Sequence, residues 1–124
     1  MSALETGFGF SKKKRLLNKA DFKGVFDCAR VQKSTFFTML ARPNTQPLAR
    51  LGVIVAKRLL KRAVDRHRIR RMIRESFRHN QALLVGLDVI VLLRSDCRNQ
   101  TAQGLCDCLG RQWQDLQRRC KAAS

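Results

Sequence analysis

The segment from Lys57 to Arg78 has the residue types that bind phosphate. It holds ten of the chain's 26 lysines and arginines, and only Asp65 and Glu75 oppose them. Arginine predominates, and its planar guanidinium group pairs with phosphate through two hydrogen bonds and stacks on bases, which an ammonium group does not do. This composition favours binding to a nucleic acid. The ten residues are Lys57, Arg58, Lys61, Arg62, Arg66, Arg68, Arg70, Arg71, Arg74 and Arg78.

A helix over Ala63–His79 would sort these residues by side. At 100° per residue an apolar stripe gathers on one side of the helix. The stripe consists of Ile69, Met72, Ile73 and Phe77, with the small Ser76 inside it. The opposite side collects His67, Arg70, Arg71, Arg74 and Arg78, with Arg66 and Arg68 at its two borders. The pattern predicts a helix that packs by its apolar stripe and presents a row of guanidinium groups.

This arginine row is unfavourable to the free helix. Arg66, Arg70, Arg74 and Arg78 follow one another at i, i+4 spacing, where like charges repel. Such a row indicates an anionic partner, although a solvated charged face is the alternative interpretation. Charge alone does not distinguish RNA from DNA.

The residues of a protein catalyst are not evident in the sequence. His67 and His79 have no carboxylate at a spacing that would orient them, and the nine acidic residues are scattered. The five cysteines are odd in number and contain no C-x-x-C pair, so we predict reduced thiols and no metal site. The cysteines are Cys28, Cys97, Cys106, Cys108 and Cys120.

Other segments must form the scaffold that positions the basic helix. Apolar periodicity predicts helices and β-branched, apolar runs predict strands, in the order α-β-β-α-β-α of a single α+β domain. The first two strands are expected to form a hairpin around the loop at 43–47. The predicted elements are a helix capped by Asn18 with Phe22, Val25, Phe26 and Ala29 on one face, strands over Thr35–Arg42 and Arg50–Lys57, a helix over Ala63–His79, a strand over Leu87–Leu93 and a helix over Thr101–Lys121.

Size and charge limit what this domain does. The 124 residues suffice for one domain, and a net charge of +17 calls for an anionic partner. We expect a flexible lead-in over residues 1–9, an RNA-binding domain over 10–121 and a tail over 122–124. The longest apolar run, Val89–Leu93, is too short to cross a membrane, and no secretory signal is evident. A cytoplasmic protein without a membrane partner is expected.

Aromatic residues lie near the basic segment in the predicted fold. Phe22 and Phe26 share a face of the first helix, and Phe36 and Phe37 lie on the first strand. Core packing is the default role of each. An aromatic groove beside Lys57 would instead suit unpaired nucleotides, because bases stack on aromatic rings.

Three motifs together resemble the protein component of bacterial ribonuclease P. The run Lys61–Arg78 is similar to the family's signature helix, which has an R-N-R core. The run Arg50–Arg58 resembles its strand motif R-x-G-x-x-V-x-K-K. The residues Phe10 and Arg15-Leu16 resemble its F-x(4)-R-L opening, and Asp21-Phe22 with Val25-Phe26 resemble its D-F-x-x-V-F helix. His67 departs from the pattern, because it stands where the family motif has Asn.

The resemblance implies a fold and a set of roles. The fold is an α-β-β-(β)-α-β-α sandwich, with one optional strand, a central mixed sheet and a left-handed βαβ crossover, like the second domain of a small-subunit ribosomal protein. The protein would bind, one to one, a catalytic RNA that removes the 5′ leader of precursor tRNA with Mg²⁺ held mainly by the RNA. The residues implied in binding the catalytic RNA are Arg62, Arg66, His67, Arg68, Arg70, Arg71 and Arg74, and those implied in binding the leader are Phe22, Phe26, Phe36 and Lys57.

The same residues are compatible with other functions. A basic ribosomal or ribosome-associated protein is the main one, because it would be equally small and non-catalytic. A nuclease acting alone lacks a catalytic set, and a DNA-binding module would use the arginine helix for backbone contacts rather than base readout.

Overall fold

A four-stranded sheet with helices on both faces forms the domain. The computed structural model describes residues 19–28, 30–44 and 48–122. Its helices are α1 (Lys19–Cys28), α2 (Ala63–His79) and α3 (Ala102–Ala122), with a short 3-10 helix (Gln81–Leu84) after α2. Its strands are β1 (Arg30–Lys33), β2 (Phe37–Pro43), β3 (Arg50–Ile54) and β4 (Leu87–Leu93). The predicted α+β class, the three helices and the mixed sheet are confirmed.

Some predictions fall outside the described residues. They concern the lead-in at 1–9, the motif residues Phe10 and Arg15-Leu16, the cap Asn18 and the helical position of Ala29. At the other end, α3 continues to Ala122, the first residue of the predicted tail.

The strand β4 lies inside the sheet, whose order is β1-β2-β4-β3. It pairs antiparallel with β2 and parallel with β3. Six of its seven residues are buried, which explains the continuous apolar run Leu87–Leu93 in the sequence. The parallel pairing of β3 and β4 requires a crossover, and α2 provides it. The left hand of that crossover stays a prediction.

The predicted hairpin, between the two strands that correspond to β2 and β3, is wrong. β2 and β3 are not neighbours, because β4 inserts between them and so buries both of its apolar faces. The partner of β2 on its other side is β1, a strand that apolar periodicity does not predict but that corresponds to the optional strand implied by the resemblance. Three of the four residues of β1 are exposed, so it has no apolar pattern. The third strand also ends at Ile54 rather than Lys57, since the chain turns at Ala56, whose carbonyl accepts hydrogen bonds from the amides of Leu59 and Leu60.

Side chains that alternate along the strands belong to two separate apolar clusters, one on each face of the sheet. The larger cluster lies between the sheet and the helices α2 and α3, and the smaller one lies under α1. Adjacent residues of β4 show the division, because Val89 and Val91 join the larger cluster whereas Ile90 joins the smaller one. The two faces of the sheet are therefore covered by different helices.

The basic helix α2 is docked by its predicted apolar stripe. Ile69, Ile73 and Phe77 are buried. The rings of Phe77 and Trp113 on α3 meet edge to face, with centroids 5.8 Å apart. Trp113 Nε1 donates a hydrogen bond of 2.8 Å to Ser76 Oγ, so the small residue within the stripe serves as the acceptor for the buried indole. This contact fixes α2 against α3.

A buried carboxylate ties β2, β3 and β4 together under α1. Asp88 is fully buried in β4. It accepts hydrogen bonds from Arg50 Nε at 2.8 Å, Arg50 Nη2 at 2.8 Å, Arg42 Nε at 3.1 Å and Asn44 Nδ2 at 2.9 Å. Burial by itself raises the pKa of Asp88, but the hydrogen bonds from Arg50, Asn44 and Arg42 and the charge of Arg50 outweigh it and hold the pKa below its ordinary value.

Replacing Asp88 should therefore destabilise the domain most at neutral pH. Asp88→Asn leaves two half-buried arginines without their anion, which is expected to lower the free energy of unfolding by about 3–5 kcal/mol at pH 7. Because the folded pKa is lowered, the carboxylate's contribution is complete above its unfolded pKa of about 3.9 and is lost as the pH falls through the folded value. Urea unfolding at pH 7 and at stepwise lower pH measures both effects.

Asp115→Asn is the matched control. Asp115 pairs with Arg118 on the exposed side of α3, so its loss should change stability by less than about 1 kcal/mol. An equally small effect of Asp88→Asn, or an effect that grows on acidification, would contradict this account of the cluster.

Candidate nucleic-acid interface

The outer face of α2 presents the predicted arginines only in part, because Arg74 and Arg78 are partly buried. Arg62, His67, Arg68 and Arg71 are exposed, and Arg70 is partly exposed. Within the described part of the chain, Arg68, Arg70 and Arg71 make no ion pair. Their guanidinium groups are thus available to an anionic ligand that lies along the helix.

Arg66 has a second role that spacing did not predict. Its Nη1 donates hydrogen bonds of 2.9 Å to the carbonyl oxygen of Leu60 and 2.8 Å to that of Lys61. These carbonyls belong to the turn that leads into α2, whose first residue is Ala63 and whose N-cap, Arg62, makes no side-chain capping bond. Arg66 therefore holds the entrance of the helix in place, in addition to any contact with a ligand.

The carboxyl-terminal end of the arginine row is partly neutralised. Arg78 Nη2 lies 2.6 Å from Glu75 Oε1, an i, i+3 ion pair on α2. Arg62 at the other end lies at the ion-pair limit, with its Nε 4.0 Å from Asp65 Oδ2. Between these two ends lie Arg68, Arg70 and Arg71, for which the described residues provide no ion pair.

The opposite face of the sheet carries the aromatic part of the interface. Phe22 of α1 lies against the backbone of β3, because a Cβ added at Gly52 would stand 2.5 Å from Phe22 Cζ. Phe22 also packs on the cluster of Val25, Leu40 and Ile90. Only glycine at position 52 allows α1 to approach this closely, so the sequence places the ring directly over the sheet.

Phe26 extends this surface into solvent, and Lys57 is also exposed. Phe26 follows Phe22 by one helical turn and is 50% exposed, unusual for so large an apolar side chain. Lys57 is exposed in the turn after β3, the strand on which Phe22 rests. An exposed ring next to a partly covered ring suits an unpaired nucleotide strand.

The structure does not bring Phe36 to this surface. Phe36 packs against the larger cluster, the one beneath α2 and α3. It precedes the first residue of β2, Phe37, so strand alternation does not fix the direction of its side chain. The prediction that Phe36 shares a groove with Phe22 and Phe26 is therefore wrong.

Sequence reasoning missed the polar support under α1. The guanidinium group of Arg42, held by Asp88, occupies the space beside Gly24, so α1 crosses β2 at a residue without a side chain. The available signal was an aspartate within an otherwise apolar strand, because a buried carboxylate requires cationic partners. This cluster sets the height of α1 above the sheet.

The cysteines and acids of the described residues do not assemble a reactive centre. Burial, followed by the charges of Asp96 and Asp65, raises the pKa of the Cys97 thiol, and burial together with Asp107 raises that of Cys106. Both thiols are therefore protonated and weakly nucleophilic at neutral pH. Among these residues no three His, Cys, Asp or Glu side chains are placed to hold a metal ion. The helices of the described segments include none long and apolar enough to cross a membrane.

Comparison with known proteins identifies the family. The family model described as Ribonuclease P matches residues 10–117. The chain belongs to the ribonuclease P protein family. The ribonuclease P protein component of Methylococcus capsulatus is 37% identical over 118 residues, which cover 95% of this chain and 92% of that protein. That of Nitrosococcus oceani is 39% identical over 113 residues, covering 91% and 95% respectively.

A solved structure supports the same assignment. The ribonuclease P protein of Staphylococcus aureus superposes with a TM-score of 0.72 at 28% identity, covering 78% of this chain and 89% of that one. The chain is thus a protein component of ribonuclease P, and its role lies in tRNA processing. The signature run predicted from Lys61–Arg78 coincides with α2, and His67 lies on its exposed side. The alternative of a ribosomal protein is no longer needed.

The close contact between Phe22 and Gly52 gives a direct test of the α1 surface. Gly52→Ala is expected to lower the free energy of unfolding by about 1–3 kcal/mol, because the methyl group overpacks the contact and displaces α1. Gly110→Ala on α3 is the control, since a Cβ there meets nothing within 4 Å and alanine favours a helix by about 1 kcal/mol. Urea unfolding measures both, and opposite signs are predicted. Stabilisation by Gly52→Ala would show that Phe22 does not rest on this strand.

Proposed function

We propose that the two faces of the domain bind two different RNA segments. The exposed arginine face of α2 binds the catalytic RNA of ribonuclease P, and the surface formed by α1, the sheet and Lys57 binds the 5′ leader of precursor tRNA. The observation that carries the proposal is the arrangement of Arg68, Arg70 and Arg71, which are unpaired within the described chain. They lie on the helix that matches the family's signature.

The division of labour follows from the chemistry of each surface. Guanidinium groups along a helix match phosphates of a folded RNA and carry little sequence information. Phe22 and Phe26 offer ring faces to unpaired bases, which a single-stranded leader has and a folded RNA largely lacks. Lys57 would neutralise a phosphate of the same strand.

The cleavage chemistry is assigned to the RNA. In this proposal the protein forms a one-to-one complex with the catalytic RNA in the cytoplasm, and Mg²⁺ is held mainly by that RNA. The protein's contribution is to bind and to orient, and its cationic surface lowers the repulsion between two polyanions that must come together. The RNA-binding set comprises Arg62, Arg66, His67, Arg68, Arg70, Arg71 and Arg74, and the leader-binding set comprises Phe22, Phe26 and Lys57.

His67 is proposed to contact the catalytic RNA from the centre of the arginine face. It is exposed between Arg66 and Arg68. A neutral imidazole donates one hydrogen bond and accepts another, as the family's Asn amide does, but from different positions. His67→Asn should therefore retain binding to the catalytic RNA, because the amide makes similar hydrogen bonds and the flanking arginines still provide the positive charge.

Loss of two arginines from α2 should reduce both affinity and salt dependence. The binding partner is catalytic RNA from a related bacterium, and the binding constant K is measured against salt concentration. For Arg68→Ala with Arg71→Ala, the negative slope of log K against log salt should become shallower by roughly 1.4–1.8, the value for two phosphate contacts. Filter binding over a series of salt concentrations measures the slope.

Arg111→Ala with Arg118→Ala is the charge-matched control. Both residues are exposed on α3, so the net charge falls equally while the face of α2 stays intact. The slope of log K against log salt should then change clearly less than it does in the double variant of α2. An equal change in the two double variants would mean that the RNA responds to overall charge and not to α2.

Phe26→Ala should weaken binding of substrates that carry a leader. Loss of one stacked base is expected to reduce the affinity of the protein–RNA complex for precursor tRNA about 5- to 150-fold. Leaderless tRNA should bind as before, because it offers nothing to this surface. Phe26 is exposed, so the variant should remain as stable as the unaltered protein. Equal losses for both substrates would contradict leader binding at α1.

A further inference from the structure

A pocket at the start of α2 borders the arginine face assigned above and shares Arg68 with it. Its volume is about 140 Å³, and it is closed on one side by the segment that joins β4 to α3. The floor is apolar and consists of Leu60, Ile69, Met72, Cys97 and Leu105. A cavity of about 150 Å³ holds one benzene ring, so this pocket has room for one six-membered ring.

Two arginines flank the pocket from different elements. Arg68 comes from the exposed face of α2, and Arg98 comes from the segment after β4. Asp96 fixes the guanidinium group of Arg98 in its own plane, with Arg98 Nε 2.9 Å and Nη2 2.7 Å from Asp96 Oδ2. A guanidinium held at its edge keeps both flat faces for stacking, and bases stack on such faces. The walls thus suit a planar, aromatic ligand.

Asp65 gives the pocket a hydrogen-bond acceptor. Its carboxylate belongs to the first turn of α2, where an acid interacts favourably with the helix dipole. Its ion pair with Arg62 is long, with Nε 4.0 Å from Oδ2, so the carboxylate can still accept a hydrogen bond at the pocket. A carboxylate repels phosphate, yet it accepts a hydrogen bond from the amino group of a base, as Asp and Glu do from N4 of cytosine.

We propose that this pocket binds one unpaired cytosine of the RNA docked on α2. The single ring lies on the apolar floor beside the guanidinium groups of Arg68 and Arg98, and its amino group donates to Asp65. This inference rests on the proposed function, because the base must belong to the RNA that α2 binds. The pocket would add selectivity for one base to a face that otherwise recognises phosphates.

Filling the pocket tests the inference. Ala102 lines the pocket and is exposed at the start of α3, so Ala102→Phe blocks the entrance without removing any core side chain. Affinity for the catalytic RNA should fall at least about fivefold, while the salt slope stays the same because no phosphate contact is lost. Ala82→Phe, the same change at an exposed residue of the 3-10 helix, should bind like the unaltered protein.

The outcomes separate this inference from the proposed function. If the unaltered protein does not bind the catalytic RNA, the proposed function fails and the pocket loses its ligand with it. If the unaltered protein binds and Ala102→Phe binds equally well, only the pocket proposal is overturned. Circular dichroism melting of each variant shows that the fold is retained.

Asp65→Asn tests the hydrogen bond by the sign of its effect. Charge alone predicts tighter binding of the catalytic RNA, because the substitution removes a negative charge from a surface that faces RNA. The proposal predicts binding about fivefold weaker, because a charge-assisted hydrogen bond becomes a neutral one. Asp107→Asn, at an exposed carboxylate of α3, is the control and should not weaken binding. Tighter binding by Asp65→Asn would overturn the assignment of Asp65.

Chemical probing identifies the base. Dimethyl sulfate methylates N3 of unpaired cytosines, so a cytosine held in the pocket should be protected in the complex with the unaltered protein. The same cytosine should regain reactivity in the complex with Ala102→Phe. If no cytosine changes between the two complexes, the pocket does not bind this base.

Discussion

The burial of β4 on both faces is the constraint on which the rest of the structure depends. A strand with six buried residues out of seven needs a covering layer on each side, and the chain supplies α2 with α3 on one face and α1 on the other. Two differently covered faces then carry two different surfaces, one rich in exposed arginine and one with the exposed ring of Phe26 beside the partly covered ring of Phe22. A sheet covered on a single face would have left no separate place for the second surface.

Docking makes the charge of α2 tolerable. Repulsion along the arginine row opposes the free helix, but burial of Ile69, Ile73 and Phe77 and the bond from Trp113 to Ser76 hold it on the sheet. Arg66 donates two hydrogen bonds to the turn before the helix, which fixes this turn against the first residues of α2. The buried Asp88 plays the corresponding part under α1. Its ion pairs with Arg42 of β2 and Arg50 of β3 hold both strands to β4.

Much of the fold was predictable because it follows from periodicity. Three elements have a sequence pattern that fits only one type of secondary structure. They are the apolar stripe of α2, the continuous apolar run of β4 and the closing helix α3. Strand order was not predictable, since adjacency in the chain favours a hairpin of β2 and β3, and only the need to bury β4 separates them. In the interface, the exposed arginines and Phe22 with Phe26 followed from helical spacing. The role of Arg66 at the turn, the side taken by Phe36 and the pocket at Cys97 depend on contacts between distant segments, which spacing does not encode.

The central claim is that the two faces of one sheet bind two different RNA molecules. Photo-crosslinking tests it most directly, with p-benzoylphenylalanine placed at position 67 on α2 in one variant and at position 26 on α1 in another. Each variant is assembled with catalytic RNA and precursor tRNA, and the crosslinked strand is then sequenced. We predict that position 67 crosslinks to the catalytic RNA and position 26 to the 5′ leader. Crosslinks from both positions to the same RNA segment, or from position 67 to the leader, would contradict the account.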